Sequence, residues 1–271
     1  MRNLIARSIV VLLAMPAVSS VAMAQAGAGK DNSLYNKLSK DDSSGGPAPR
    51  RDLSGTWTGP LEPKRGDAPP LTPVGQQRFS LNKTEANVSW ADSNDPWKTC
   101  DPFGFPRSAV NETRGISFAQ MPGKIVVLHH YNRVWRDVWM DGRDLPKNID
   151  RKGGPDSRWY GYSVGHWEGD NTLVIDTVGS DDRSWLDPRG YPHSVDAHVQ
   201  ERYTRVDHNH LQMTVTIDDP KIYTKPFVLG TINFRWVPTQ ETDEQMCVAS
   251  EAITYVNTIS FPAVGESPKA K

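Results

Sequence analysis

Residues 158–205 read RWYGYSVGHWEGDNTLVIDTVGSDDRSWLDPRGYPHSVDAHVQERYTR, and the fold is decided there. Tyr160, Tyr162, Val164 and His166 alternate with Gly161, Ser163 and Gly165, while Leu173, Ile175 and Thr177 alternate with Val174 and Asp176. A period of two over two runs joined by Glu168-Gly169-Asp170-Asn171 predicts a β-hairpin with a polar turn. After Gly179 the alternation stops. A polar loop then gathers Asp181, Asp182, Arg183, Trp185, Asp187 and His193, and strand pattern resumes at Val199. A loop held at both ends by strands is where a rigid scaffold tends to carry chemistry.

The pattern continues on both sides. Downstream, Val199, Glu201, Tyr203 and Arg205 are followed by the turn Asp207-His208-Asn209-His210, and then by Leu211, Met213, Val215 and Ile217 at alternate positions. That is a second hairpin with one buried face. A last strand is expected over 228–237, and a helical stretch near Cys247. Upstream, 116–120, 124–131 and 133–140 read as a meander. There Trp135 and Trp139 share one face, and Val134, Arg136 and Val138 share the other. Thr72-Pro73 predicts a short helix with Pro73 at its first position. Residues 144–157, with two prolines and two adjacent glycines, read as a connecting loop. The sum is about eight to ten strands in sequence-neighbour hairpins with no long amphipathic helix, which predicts an all-β domain. The expected form is an antiparallel meander closed into a barrel or strongly bent into a sheet, with a sandwich as the alternative.

The N-terminus carries Arg2 and Arg7, an apolar run and Ala22-Met23-Ala24, the pattern of a secretory signal peptide over residues 1–24. Residues 25–52 are poor in large apolar side chains and read as a flexible leader, 53–262 as one barrel-like domain, and 263–271 as a mobile tail. The expected location is periplasmic or secreted, without membrane insertion. Lys and Arg number 31 against 32 Asp and Glu, a balance without the basic footprint that nucleic acid demands. The expected partner is a small molecule. Cys100 and Cys247 read as one long-range disulfide in an oxidising compartment, with two buried free thiols as the competing state.

Leu53-Ser54-Gly55-Thr56-Trp57 contains a Gly-x-Trp that resembles the first strand of lipocalin-type barrels. The order WEGDNTLVIDTVG, DDRSWLD, GYPHS and ERYTRVDH, preceded by Cys100-Asp101-Pro102 and Gly104-Phe105-Pro106-Arg107, resembles a family of exported, mostly uncharacterised bacterial proteins. Some exported proteins of this general size in aromatic-degrading bacteria act on lignin-derived compounds, and the analogy implies an aromatic ligand of that class.

Candidate chemistry concentrates in the polar loop. His193 suits a general acid/base near neutral pH, oriented by Asp181 or Asp182; the plainer role is a loop histidine bonded to backbone. Arg183 and Trp185 would close over a ligand. Glu201 and Tyr203 share a strand face, as do His129 and Tyr131. Inside a barrel such groups must bind a ligand or each other; outside they need no explanation. Trp135, Trp139, Trp159, Trp167 and Trp185, with Tyr160 and Tyr162, are candidates for an aromatic-lined pocket. His129-His130 point to opposite faces of a strand and His208-x-His210 lies at a turn. No metal-binding, nucleotide-binding or nucleophile-elbow motif is present, so neither metal nor cofactor is expected.

Two functions follow as expectations. One is a cofactor-independent lyase or isomerase that moves a proton on an aromatic molecule in a barrel cavity, with His193, Asp181 and Asp182 catalytic. In that reading Trp185, Arg183, Tyr203, Glu201, His129, Trp135 and Tyr162 bind substrate. The other is a periplasmic binding or carrier protein that uses the same cavity without catalysis. In either, residues 179–194 form the cavity mouth, and His193→Ala or Trp185→Ala removes little buried core.

Overall fold

The computed structural model describes residues 43–111, 114–241, 246–263 and 265. The expected signal peptide, most of the leader and most of the tail lie outside the described residues. Nine strands close into one barrel in chain order. They are β1 (Gly55–Arg65), β2 (Ile116–Met121), β3 (Lys124–His129), β4 (Val134–Trp139), β5 (Tyr162–Glu168), β6 (Thr172–Val178), β7 (His198–Arg205), β8 (His210–Asp218) and β9 (Phe227–Trp236). The expected lipocalin-like all-β barrel is therefore the fold, and β1 pairs with β9 to close it. Helix is scarce: α1 (Pro73–Ser80), α2 (Arg107–Val110), α3 (Ala249–Tyr255) and α4 (Phe261–Ala263), with a π-helical turn between the last two. Thr72 caps α1 through its side chain, which accepts from the Gly75 N–H at 3.1 Å.

The meander needs one correction. Every neighbouring pair is antiparallel except β4 and β5, which run parallel and pair only at Val138↔Ser163 and Trp139↔Val164. Parallel neighbours cannot be joined by a tight turn, and the 140–161 connection between them is long enough to carry the chain back to the end at which β4 began.

Alternation decides the interior. Ile125, Val127 and His129 of β3, Arg136 and Val138 of β4, Leu173, Ile175 and Thr177 of β6, and Leu211, Met213, Val215 and Ile217 of β8 are all buried. On β7 the inward set is Val199, Glu201, Tyr203 and Arg205. Trp57 is fully buried, and its indole N–H donates to the Leu53 carbonyl at 2.8 Å. The Arg205 guanidinium lies 4.9 Å from the Trp57 ring and donates to the carbonyls of Asp52 and His208, so backbone acceptors answer its charge. Residues of the expected leader join this edge, where the Arg51 N–H donates to the Asp170 carbonyl and the Asn209 N–H to that of Ser44.

The 103–107 segment packs into the interior. Phe105 is fully buried, and Arg107 makes a bidentate contact with Asp95 at 2.7 and 2.8 Å, both partners almost completely enclosed. Cys100 and Cys247 are bridged across a sequence separation of 147, with Cα atoms 5.4 Å apart. In the chain-entropy account a loop of that length contributes about 5 kcal/mol. Among the described residues no helix is long and apolar enough to cross a membrane.

Candidate functional site

Three groups of polar and aromatic residues are on hand, and the fold keeps them apart. The first is in the barrel interior. Arg136 donates to Glu201 Oε2 at 2.6 Å, with Thr177 Oγ1 3.4 Å from its other terminal nitrogen. The Tyr203 hydroxyl donates to Glu201 Oε1 at 2.8 Å, and Ser163 and Thr177 share a hydrogen bond of 2.8 Å. Phe105 stacks over the Arg136 guanidinium at 4.0 Å. Glu201 and Tyr203, for which surface positions were one alternative, are thus inside, and they satisfy each other. An ion pair this enclosed contributes little net stability, but removing one partner leaves a charge stranded. Burial holds the Tyr203 hydroxyl protonated, well above the ordinary phenol range. His129 faces the same interior, and among the described residues neither of its ring nitrogens has a hydrogen-bond partner. Burial first, and then the Arg136 charge, push it down to about 3, so it is neutral.

The second group is the 179–194 loop. It does not form the mouth of either large cleft: Ser184, Trp185, Leu186, Asp187, His193 and Ser194 are all buried. The loop's charges close on one another or on neighbours. Arg183 makes a forked contact with Asp181, which holds that carboxyl below its usual range; Asp182 pairs with Arg78 of α1 at 2.8 Å; Arg189 pairs with Asp187. His193 Nε2 lies 2.9 Å from Ser184 Oγ and its Nδ1 3.2 Å from the Ser194 carbonyl. Burial pushes the His193 pKa down and favours the neutral imidazole; with its proton on Nδ1 it donates to the Ser194 carbonyl, and the one Ser184 hydroxyl proton is then shared between Nε2 and the Asp181 carbonyl, also 2.9 Å away. Asp219 accepts from the Ser194 N–H and hydroxyl at 2.7 and 2.9 Å. Close packing seals the assembly: Gly104 has φ +71°, and a Cβ there would lie 2.3 Å from Ser184 Oγ. Trp185, expected to be presented to a ligand, is 5% exposed, with Arg107 above its ring.

The third group forms a cleft of about 520 Å³ on the outer face of the barrel. It lies where β4 and β5 diverge below their two paired positions, and residues 135–137 and 158–161 border it. Trp135, Trp139, Trp159, Tyr160 and Tyr162 line it. Trp135 is 69% exposed, an unusual cost for so large an apolar ring. Three of the other rings are braced by cations: Arg143 sits 3.7 Å over Trp139, Arg158 4.1 Å over Tyr162 and Arg183 4.3 Å over Trp159. Burial pushes the Tyr160 hydroxyl up to about 12, so it remains a proton donor at physiological pH. Arg136 and Ser163, whose side chains are buried in the barrel, also border the cleft and connect its floor to the Glu201 network.

Of the residues singled out from sequence, Trp135 and Tyr162 are in this cleft, with Trp139, Trp159 and Tyr160 from the wider aromatic set. Glu201, Tyr203 and His129 are in the interior behind it. His193, Asp181, Asp182 and Trp185 belong to the buried loop, and Arg183 reaches the cleft only through its stacking on Trp159. Sequence reasoning missed Arg143, Asp144 and Arg158. Arg143 falls between the strand read over 133–140 and the connecting loop read over 144–157, and Asp144 opens that loop; their signal was proximity to five aromatic residues within 135–162. A second cleft of about 620 Å³ lies between α3 and the 90–98 turns, bordered by Trp97, Tyr131 and Cys247. Among the described residues no three His, Cys, Asp or Glu side chains gather to hold a metal ion. Comparison with family models, with curated proteins and with solved structures finds no match for this chain.

Proposed function

We propose that this chain binds a flat aromatic small molecule in the cleft beside β4. The supporting observation is the convergence of Trp135, Trp139, Trp159, Tyr160 and Tyr162 on one concavity, with Trp135 held in solvent where no packing rewards it. Aromatic walls with a few fixed polar groups are the ordinary make-up of a small-molecule site. The compartment proposed is periplasmic or extracellular; the Cys100–Cys247 bridge supports it, because such bonds persist where the environment is oxidising. Calorimetric titration of the full chain with naphthamide, flat and uncharged, tests the binding. Saturable binding should be lost in Trp139→Ala and kept in Trp97→Ala, which alters the second cleft. Binding indifferent to Trp139→Ala would overturn the proposal.

A lyase or isomerase reaction on the same ligand is the second reading. What favours it is the contact of Arg136 with Glu201 directly behind the cleft floor, which links a bound molecule to a buried carboxylate and phenol. Product analysis after incubation with a bound ligand tests it, and ligand recovered unchanged would leave binding alone.

A further inference from the structure

The charged side chains around the cleft differ in whether they already have a partner. Arg136 is held by Glu201 at 2.6 Å, Asp137 lies 3.1 Å from Lys124, and Arg143 makes a forked contact with Asp141 at 2.5 and 2.9 Å. Arg158 has none of this. Among the described residues no carboxylate and no hydrogen-bond acceptor meets its guanidinium, which lies 4.1 Å over the face of Tyr162. Its backbone is fixed on both sides: the Arg158 N–H donates to the Gly179 carbonyl at 3.0 Å, and the Asp181 N–H donates to the Arg158 carbonyl at 2.9 Å. A guanidinium laid flat on a ring spends its face on stacking and leaves its N–H edges in plane, the geometry that takes a carboxylate on two parallel bonds. Asp144 is the other cleft-lining charge without a partner among the described residues. Its carboxylate repels a second anionic group, so the site suits a single negative charge.

We infer that the ligand is a flat aromatic monocarboxylate, its carboxylate on the Arg158 fork and its ring against Trp139 and Tyr160. This rests on the cleft being the binding site, and the experiment separates the two claims. Calorimetry on the full chain compares naphthoate, its uncharged amide and a naphthalene dicarboxylate, in wild type, Arg158→Gln, Arg158→Lys and Trp139→Ala. Thermal melts verify that each variant is folded. Naphthoate should bind about ten-fold or more tightly than the amide, because a charge-assisted bidentate pair is lost with the charge. The dicarboxylate should fall below naphthoate. Arg158→Gln should abolish the preference for the acid, bringing naphthoate down to the affinity of the amide in the same variant, and Arg158→Lys should restore part of it. Equal affinity for acid and amide, both lost in Trp139→Ala and neither altered in Arg158→Gln, would overturn the carboxylate while keeping the cleft. No binding of any probe, or binding indifferent to Trp139→Ala, would overturn both.

Discussion

The 179–194 loop and the cleft beside β4 are built from the same materials, arginine, aspartate and tryptophan, and they differ in what those groups are joined to. In the loop each charge meets an opposite charge from the loop or from α1, and the histidine is enclosed by two serines. In the cleft three of the five rings carry a cation over their faces, and Arg158 and Asp144 face solvent without a counter-ion among the described residues. A dense run of ionisable residues in sequence therefore says little about function until their partners are known. Groups that satisfy each other specify a shape; groups left unsatisfied at a surface are available to something else.

Substitutions can break or sharpen this contrast. The largest effect should come from Asp219→Ala, which strips two buried donors of Ser194 of a charged acceptor; about 3–4 kcal/mol of stability should be lost, seen as a clear fall in melting temperature. An unchanged melt would mean the loop is not held from within. His193→Ala, which the sequence alone presents as harmless, should cost about 2–3 kcal/mol through the cavity it leaves in the buried loop, although the Ser184 hydroxyl keeps the Asp181 carbonyl as acceptor. Ligand binding by the folded fraction should survive it. Next comes acidity. His129 is neutral in the fold with a pKa of about 3 against an ordinary 6.5, so its contribution to stability is present above about pH 6.5 and is lost as pH falls toward 3. The slope should be about 1.4 kcal/mol per pH unit in that window. Chemical denaturation at several pH values should show a flatter profile in His129→Leu; an identical slope would remove this histidine from the account. The smallest effect on stability should be that of Trp135→Ala, within about 0.5 kcal/mol because the ring is exposed. It should nevertheless weaken naphthamide binding several-fold, and a variant that binds as tightly as wild type would exclude Trp135 from the site.

Much of the barrel was legible because its signals are local. The alternation of Leu211, Met213, Val215 and Ile217 states both the strand and its inward face. Thr72-Pro73 states a capped helix start, and two cysteines in a chain expected to be exported state a bridge. Faces became illegible where polar residues occupy the inward positions. Glu201 and Tyr203 alternate with Gln200, Arg202 and Thr204, and nothing in that run says which set finds partners across the barrel. The partner of Glu201 is Arg136, 65 residues away, and no periodicity encodes that distance. The cleft was half legible. Its rings were conspicuous, but its location depends on β4 and β5 diverging, which is a property of the long connection between them.

That joint has a consequence for motion. Antiparallel ladders of six or more register pairs run through β2–β4 and β5–β9, whereas β4 and β5 share two. The amides flanking Val138 and Ser163 should exchange with solvent deuterium through local opening at low free energy, while those along β7 and β8 wait for global unfolding. The barrel then has a hinge line along one side of its wall, and a ligand lying across it would lend that line its slowest exchange.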